Sequence, residues 1–251
     1  MTIEPQADGG RLGGWIPRRW PAPLRCGALL AVATVASSCA PAVAVTHTVS
    51  TPSGTATSTI APLAKLAKVK VIPTLPGMPN YDRSCSPGRA CSFGQAWSDD
   101  TDAPGSHDGC DSRSQAIGLA ATEVVRHGPC KVVSGVLHDP YTGVDVPFTG
   151  QTVNRLNGDH LIPLKRAWDL GAAGWSQERR ATFANDIDLE IIITTAAANN
   201  AKGDKGIGER QPPNVAYRCE YSTRYLAVTV AYQLPLTQHD HDTLAKVLGA
   251  C

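Results

Sequence analysis

Several features that would assign this chain to a simple class are missing. Its 251 residues carry 23 Lys and Arg against 22 Asp and Glu, so the formal net charge is +1. This balance excludes attraction of nucleic acid through a strong overall positive field, and phosphate binding would have to come from local placement or from a bound metal. The sequence contains no C-x-x-C pair and no internal repeat, and the first absence argues against a structural zinc site.

A long apolar run is also missing, because the run Cys26–Ala36 is too short to span a bilayer as a stable helix. Arginines precede it, which is typical of an export signal, and we interpret residues 1–44 as a leader. Ala36–Cys39 resembles a lipobox in which Cys39 would carry lipid, whereas Ala42–Ala44 resembles an ordinary cleavage site. Lipidation, free secretion and an uncleaved anchor stay open. The chain is expected to be secreted or anchored to the cell envelope, and to touch a membrane only through a lipid at Cys39.

The cysteines agree with export. Of eight, two lie in the leader, and the even number that remains is typical of an oxidised exported domain. Proximity in the sequence suggests the pairs Cys85–Cys91, Cys110–Cys130 and Cys219–Cys251. Residues 45–80 are rich in Thr, Ser, Ala and Pro and predict a flexible linker, so the folded domain is expected over residues 81–251.

Hydrophobic periodicity predicts an α+β domain. The predicted helices are Ser112–Arg126, Leu164–Leu170, Gln177–Asn185, Ala196–Ala201, Asn214–Tyr232 and Thr237–Leu248. The predicted strands are Lys131–Leu137, Val144–Phe148, Thr152–Leu156 and Leu189–Thr194, with a turn at Asp139–Gly143 between the first two. A β-hairpin and flanking helices would thus surround the segment from Asp159 to Asp204.

Two short groups of polar residues carry the candidate chemistry. Asp159-His160 follows one strand, and Asn199 lies on a helix after the next strand. A carboxylate and an amide are oxygen ligands suited to Mg²⁺, and we expect Asp159 and Asn199 to bind one such ion. His160 would be the general base, because a pKa near 6.5 leaves it largely neutral at neutral pH. Adjacent strand residues point to opposite sides, so we expect a local distortion at Gly158.

The remaining polar motifs have plainer readings beside the functional ones. Lys202 would contact a phosphate or be a solvated helix-end lysine, and Asp204 would orient Lys202 or cap the next turn. The run His239–Asp242 is interpreted as the first turn of a helix, and the acidic segment Asp99–Asp108 as a solvated loop, since it lacks the distal glutamate of a calcium loop. Trp168 and Trp175 are expected in the core, with base stacking as the alternative.

These motifs together resemble a known family. The stretches that carry the resemblance are Asp159-His160-Leu161-Ile162-Pro163-Leu164, Phe183-Ala184-Asn185-Asp186, Asn199-x-x-Lys202-Gly203-Asp204, Tyr81-Asp82-Arg83, Asp108–Arg113, Asp139–Gly143 and Tyr217–Tyr221. They resemble the HNH (ββα-metal) endonucleases, and in particular the exported branch related to the C-terminal domain of GmrSD-type restriction enzymes. The resemblance covers about Tyr81 to Cys251 and implies a ββα-metal core, metal-dependent cleavage of DNA, His160 as base, and Asp159 and Asn199 as metal ligands.

One departure concerns the second strand, where Glu190 stands in place of the asparagine usual in the family. A carboxylate there would orient the loop that bears the histidine, add an acidic ligand, or mark weakened activity. We therefore place Glu190 beside His160 and Lys202 as a candidate catalytic residue.

The expected function is that of an exported, disulfide-bonded endonuclease that uses Mg²⁺ or another divalent cation such as Mn²⁺. It would act on DNA with low sequence specificity, because phosphate contacts carry no base information. No protein partner is evident. The alternatives are a catalytically weakened nucleic-acid-binding module on the same scaffold and a cell-surface interaction protein.

Overall fold

The computed structural model describes residues 56–251. The expected leader, its cleavage sites and the first part of the expected linker lie outside the described residues. The helices are α1 (Ala56–Leu66), α2 (Ser112–Ala120), α3 (Leu164–Asp169), α4 (Gln177–Asn185), α5 (Ala196–Lys202), α6 (Arg218–Tyr232) and α7 (Gln238–Ala250). The strands are β1 (Val71–Ile72), β2 (Ala121–His127), β3 (Lys131–Asp139), β4 (Val144–Phe148), β5 (Leu156–His160), β6 (Ile191–Thr195) and β7 (Leu236–Thr237). The α+β class is thereby confirmed.

The described strands form three small sheets. An antiparallel meander has the order β2-β3-β4, β5 and β6 form an antiparallel pair, and β1 pairs with β7 in parallel. In the β5–β6 pair, Asp159 stands opposite Ile192 and His160 opposite Ile191. The end of β5 that bears the Asp-His pair is therefore anchored to an apolar strand that ends directly at α5.

The β5–β6 pair lies between two hydrophobic clusters. Ile191 and Ile193 belong to the cluster beneath the meander, whereas Ile192 belongs to the larger cluster built on α3, α4, α6 and α7. Alternate residues of a strand point to opposite faces, and here both faces are covered. This explains why β6 begins with three consecutive isoleucines, and it fixes the register of the pair, since a shift by one residue would exchange the two faces.

Several element boundaries differ from those predicted. The helix expected over Ser112–Arg126 ends at Ala120, and the chain continues as β2 because Ala121–His127 pairs with β3. The strand expected over Thr152–Leu156 shares only Leu156 with the observed β5, because a 3₁₀ turn occupies Val153–Arg155. Strand β6 starts at Ile191 rather than Leu189. In each case backbone pairing with a distant strand decided the boundary, and local periodicity does not contain that information.

The linker prediction was wrong where the structure describes it. Helix α1 packs against α6 and α7, Leu66 is buried in the larger cluster, and the backbone N–H of Leu236 donates to the carbonyl oxygen of Lys70. The folded unit therefore begins well before Tyr81. No helix among residues 56–251 has the length and apolar content needed to cross a bilayer.

The three cysteine pairs predicted from sequence proximity are confirmed: Cys85–Cys91, Cys110–Cys130 and Cys219–Cys251. Each closes a local loop. The last joins the first turn of α6 to the residue after α7.

Candidate functional site

The β5–β6 pair and α5 bring the three principal candidates to one cleft. Asp159, His160 and Asn199 all line a cavity of about 250 Å³, together with Asp204. Thr195 makes this possible, because it ends β6 and its side chain accepts a hydrogen bond from the backbone N–H of Ala198 as the N-cap of α5. The cap turns the chain from strand to helix without a loop, so Asn199 lies one turn from the strand end.

Asp159 is almost completely buried, at 3% exposure, and both of its carboxylate oxygens are engaged. The ammonium of Lys202 lies 2.9 Å from Oδ1, and the hydroxyl of Tyr141 donates a short hydrogen bond to Oδ2. Burial raises the pKa of Asp159, and the charge of Lys202 with the two hydrogen bonds opposes that shift. The carboxylate therefore depends on its two partners in a poorly solvated place.

Lys202 is the last residue of α5 and is itself 3% exposed. Its ammonium also donates to the carbonyl oxygen of His160, at 2.7 Å. Gly203 then leaves the helix at a φ of +59°, a region that L side chains rarely adopt. Lys202 thus ties the backbone of the Asp-His pair to α5, and it is not the solvated helix-end lysine considered as an alternative.

His160 has a defined tautomer. Its Nε2 lies 2.9 Å from the carbonyl oxygen of Ala184, and because a carbonyl only accepts, Nε2 must carry the proton. Nδ1 of the neutral ring then keeps its lone pair. Burial is the main reason that the pKa of His160 is lowered to about 4. The hydrogen bond to Ala184 opposes this shift, and the positive charges of Arg83 and Lys202 add to it. The imidazole is accordingly neutral at neutral pH.

The indole of Trp97 stacks on one face of this imidazole. The two rings are nearly parallel, at 14°, with centroids 5.8 Å apart. A Cβ at Gly158 would lie 2.5 Å from Cη2 of Trp97, so the indole occupies the space that a side chain would fill. Gly158 remains paired in regular register with Ile193 and has no positive φ. The distortion expected at Gly158 is therefore wrong, and the glycine instead leaves room for the tryptophan.

Glu190 lies beneath the loop that follows His160 and does not line the cleft. It is fully buried, its Oε1 accepts from the backbone N–H of Ile162 at 3.0 Å, and its carbonyl oxygen accepts from the N–H of Leu161 at 2.9 Å. Among residues 56–251, Oε2 has no hydrogen-bond partner. Burial raises the pKa of Glu190 well above its usual value, which favours the neutral acid. Its contacts are those of a residue that shapes the loop.

The donor set of the cleft fits a hard divalent cation. Asp159 offers a carboxylate, and the amide of Asn199 makes no hydrogen bond within the described part of the chain, which leaves its oxygen available. Mg²⁺ is commonly bound through one or two carboxylates with water and phosphate completing the shell. No cluster of three or more His, Cys, Asp or Glu residues that could hold a metal is found in residues 56–251, so this site would rely on few protein ligands.

The Asp139–Gly143 turn contains Tyr141, a residue of the site for which the sequence predicts no role. Asp139 is buried and accepts hydrogen bonds from the hydroxyls of Thr194 and Thr195 at the β6–α5 junction, and from the N–H of Tyr141. These bonds hold the turn against the end of β6, where the hydroxyl of Tyr141 reaches Asp159. The sequence predicts no role for Trp97 or for Arg83, although Arg83 belongs to the Tyr81-Asp82-Arg83 stretch of the family resemblance.

The competing candidates have structural roles. Thr237 caps α7, and Asp240 is fully buried with its carboxylate 2.6 Å from the guanidinium of Arg166. In the acidic segment, the side chain of Asp99 accepts from the backbone N–H groups of Asp108 and Gly109. Trp168 and Trp175 pack against the larger hydrophobic cluster, as expected.

Taken with this geometry, comparison with known sequences places the chain in a class of nuclease-related domains. The family described as "GmrSD restriction endonucleases, C-terminal domain" matches residues 120–247, about half of the chain, and the protein belongs to this family. An uncharacterized secreted protein of Arthroderma benhamiae is 34% identical over 143 residues, which cover 57% of this chain and 68% of the relative. No solved structure matches.

Proposed function

We propose that this protein is an exported, metal-dependent endonuclease of the HNH (ββα-metal) type that hydrolyses phosphodiester bonds in DNA with low sequence specificity. The observation that carries the proposal is the convergence of Asp159, His160 and Asn199 on one cleft at the junction of β5, β6 and α5. Membership of the restriction-endonuclease family supports the nuclease role. The secreted relative and the three disulfides support export.

His160 has the properties of a general base for water attack. Its Nε2–H is fixed by Ala184, the ring is held by Trp97, and the low pKa keeps Nδ1 unprotonated at neutral pH. A fixed ring with one available lone pair accepts a proton from water without first reorienting. A base with a pKa near 4 is a weak one, so an anionic phosphate bound close by, which raises the pKa of the imidazole, would strengthen it.

Asp159 and the amide oxygen of Asn199 would hold Mg²⁺ or a similar divalent cation. When bound, such an ion polarises the phosphoryl oxygen and stabilises the leaving oxygen. Tyr141 and Lys202 orient the carboxylate of Asp159 through its two oxygens. Glu190 holds the backbone at Ile162 and so fixes the path of the chain after His160.

The test is nicking of supercoiled plasmid DNA by the purified protein with Mg²⁺, with EDTA, and with His160→Ala. The matched control is His138→Ala, because His138 is 68% exposed, pairs with Asp145 on the meander and lies outside the cleft. We expect nicking that EDTA and His160→Ala abolish and that His138→Ala leaves unchanged. Nicking that persists in both EDTA and His160→Ala would eliminate the mechanism.

A binding module on the same scaffold is the second candidate. It is favoured by the ion pair of Asp159 with Lys202, since the ammonium already satisfies the carboxylate that would ligate the metal. Retention of plasmid DNA on a gel, with no nicking at any Mg²⁺ or Mn²⁺ concentration, would support this candidate over the enzyme.

A further inference from the structure

The segment that bears Tyr81 and Arg83, two residues of the cleft wall, leads into a loop closed by the Cys85–Cys91 bond. Asp82 joins this segment to the loop by accepting two hydrogen bonds from Arg89, at 2.6 and 2.9 Å, and one from the backbone N–H of Ala90. Backbone bonds also join Ser92 to Asp82 and Cys91 to Ser84. The loop therefore holds the segment before Cys85 in a fixed position.

Arg83 lies just before Cys85 and reaches the cleft. It lines the same cavity as Asp159, His160 and Asn199. One guanidinium nitrogen donates to the carbonyl oxygen of Gly94, at 3.0 Å. This bond fixes the side chain and leaves further N–H donors of the guanidinium for another partner.

Arg83 differs from Lys165, which also lines the cleft, and from Lys202, which is buried against Asp159, in having no acid beside it. Lys165 pairs with Asp169 at 2.6 Å, and Lys202 pairs with Asp159. Within residues 56–251, no carboxylate lies within ion-pair distance of Arg83, although its side chain is half-buried and burial lowers its pKa. A partly desolvated cation without a counter-ion is unfavourable unless an anion completes the site.

We infer that Arg83 binds a non-bridging oxygen of the scissile phosphate. This inference rests on the proposed function and names the contact by which the cleft recognises its substrate. The planar guanidinium suits a phosphate, and its remaining donors supply hydrogen bonds as well as charge. The phosphate charge then offsets that of the guanidinium next to His160, and the guanidinium stabilises the negative charge that builds up on the phosphoryl oxygens during attack.

The experiment compares Arg83→Ala and Arg83→Lys with the wild type in steady-state plasmid nicking with Mg²⁺. Arg155→Ala is the matched control, because Arg155 is exposed, lies at the opposite end of β5 from His160, and carries the same charge. We expect Arg83→Ala to lower kcat/KM about 100-fold, the loss typical of one oxyanion donor. Arg83→Lys should recover part of it, since charge returns without the planar fork, and Arg155→Ala should match the wild type.

Two further measurements separate contact from folding. DNA binding in EDTA should lose about one unit from the slope of log affinity against log salt in Arg83→Ala, as removal of one phosphate contact predicts. Inorganic phosphate should inhibit the wild type competitively and Arg83→Lys more weakly. A stable Arg83→Lys enzyme with wild-type kcat/KM and wild-type phosphate inhibition would overturn the inference, as would an Arg83→Ala enzyme indistinguishable from Arg155→Ala. A wild-type protein that does not nick DNA would instead refute the proposed function.

Discussion

Removing the ammonium from Lys202 tests the buried pair on which the site is built. In Lys202→Met the carboxylate of Asp159 keeps only the hydroxyl of Tyr141 and remains almost fully covered. Breaking a buried pair by deleting one partner typically costs about 3–5 kcal/mol, because the other charge is left without compensation. For a domain of this size that corresponds to a fall in Tm on the order of 10 °C.

A double-mutant cycle with Asp159→Asn isolates the pair. The Asp159→Asn/Lys202→Met protein has no buried charge at this position, so we expect it to recover much of the stability that Lys202→Met loses, with a coupling of about 2 kcal/mol or more. Divalent cation should also stabilise Lys202→Met more than the wild type. A ligand at 100 times its Kd adds about 2.7 kcal/mol, and in the variant no ammonium competes for the carboxylate.

Urea unfolding followed by circular dichroism, with and without Mg²⁺, provides these free energies. Lys165→Met is the control, because Lys165 is 38% exposed and its pair with Asp169 should contribute less than about 1 kcal/mol. A Lys202→Met protein within about 1 kcal/mol of the wild type, with no coupling to Asp159→Asn, would refute the argument that this pair supports the site.

Three further predictions concern the same cleft. The pKa of His160 is lowered to about 4 in the fold, so the stability that the neutral imidazole provides is present above pH 6.5 and is lost as pH falls towards 4. Between pH 7 and pH 4, the free energy of unfolding of His160→Asn in urea should therefore fall by about 3 kcal/mol less than that of the wild type. The pKa of Glu190 is raised, so the stability that its neutral acid provides is present below the ordinary pKa and is lost as pH rises through the raised value. Glu190→Gln, which keeps the bond from Ile162, should therefore gain stability over the wild type from pH 5 to pH 8 by the same measurement. Gly158→Ala should cost about 1–3 kcal/mol in urea unfolding and lower nicking, because its Cβ would displace Trp97 from His160.

Each of the three has a result that would contradict it. If the free energy of unfolding of His160→Asn falls as much between pH 7 and pH 4 as that of the wild type, the imidazole is not held neutral. A Glu190→Gln protein less stable than the wild type at pH 8 would show that the buried acid is ionised and paired. For the glycine, Gly174→Ala is the control, since no atom lies within 4 Å of the added Cβ, and equal effects at both glycines would exclude displacement of Trp97.

The parts of the fold that the sequence predicts well are those with strong local signals. Ser176 and Thr237 were correct as helix starts because an N-cap side chain acts on its own first turn. The Asp139–Gly143 turn and the three cysteine pairs are also local. The three isoleucines of β6 also lie in a strand as predicted, because a short run of β-branched apolar residues is a strong local signal.

The parts that the sequence does not predict depend on distant partners. No residue near Ala121 indicates that this segment will pair with β3 as a strand, and no residue of α1 indicates that the helix will pack against α7. Within the site, the positions of Asp159 and Asn199 follow from the β5–β6 pair and α5. The contact of Tyr141 with Asp159 depends in addition on a hydrogen bond between Asp139 and the distant Thr194 of β6. The position of Arg83 in the cleft wall likewise depends on a segment that lies outside the β5–β6 pair.

The stacked pair of Trp97 and His160 also gives the protein a built-in optical reporter. An indole stacked on an imidazole loses emission when that ring becomes a cation, so the Trp97 component of the fluorescence should fall as acid protonates His160. The other four of the five tryptophans form a background that a Trp97→Phe protein would define.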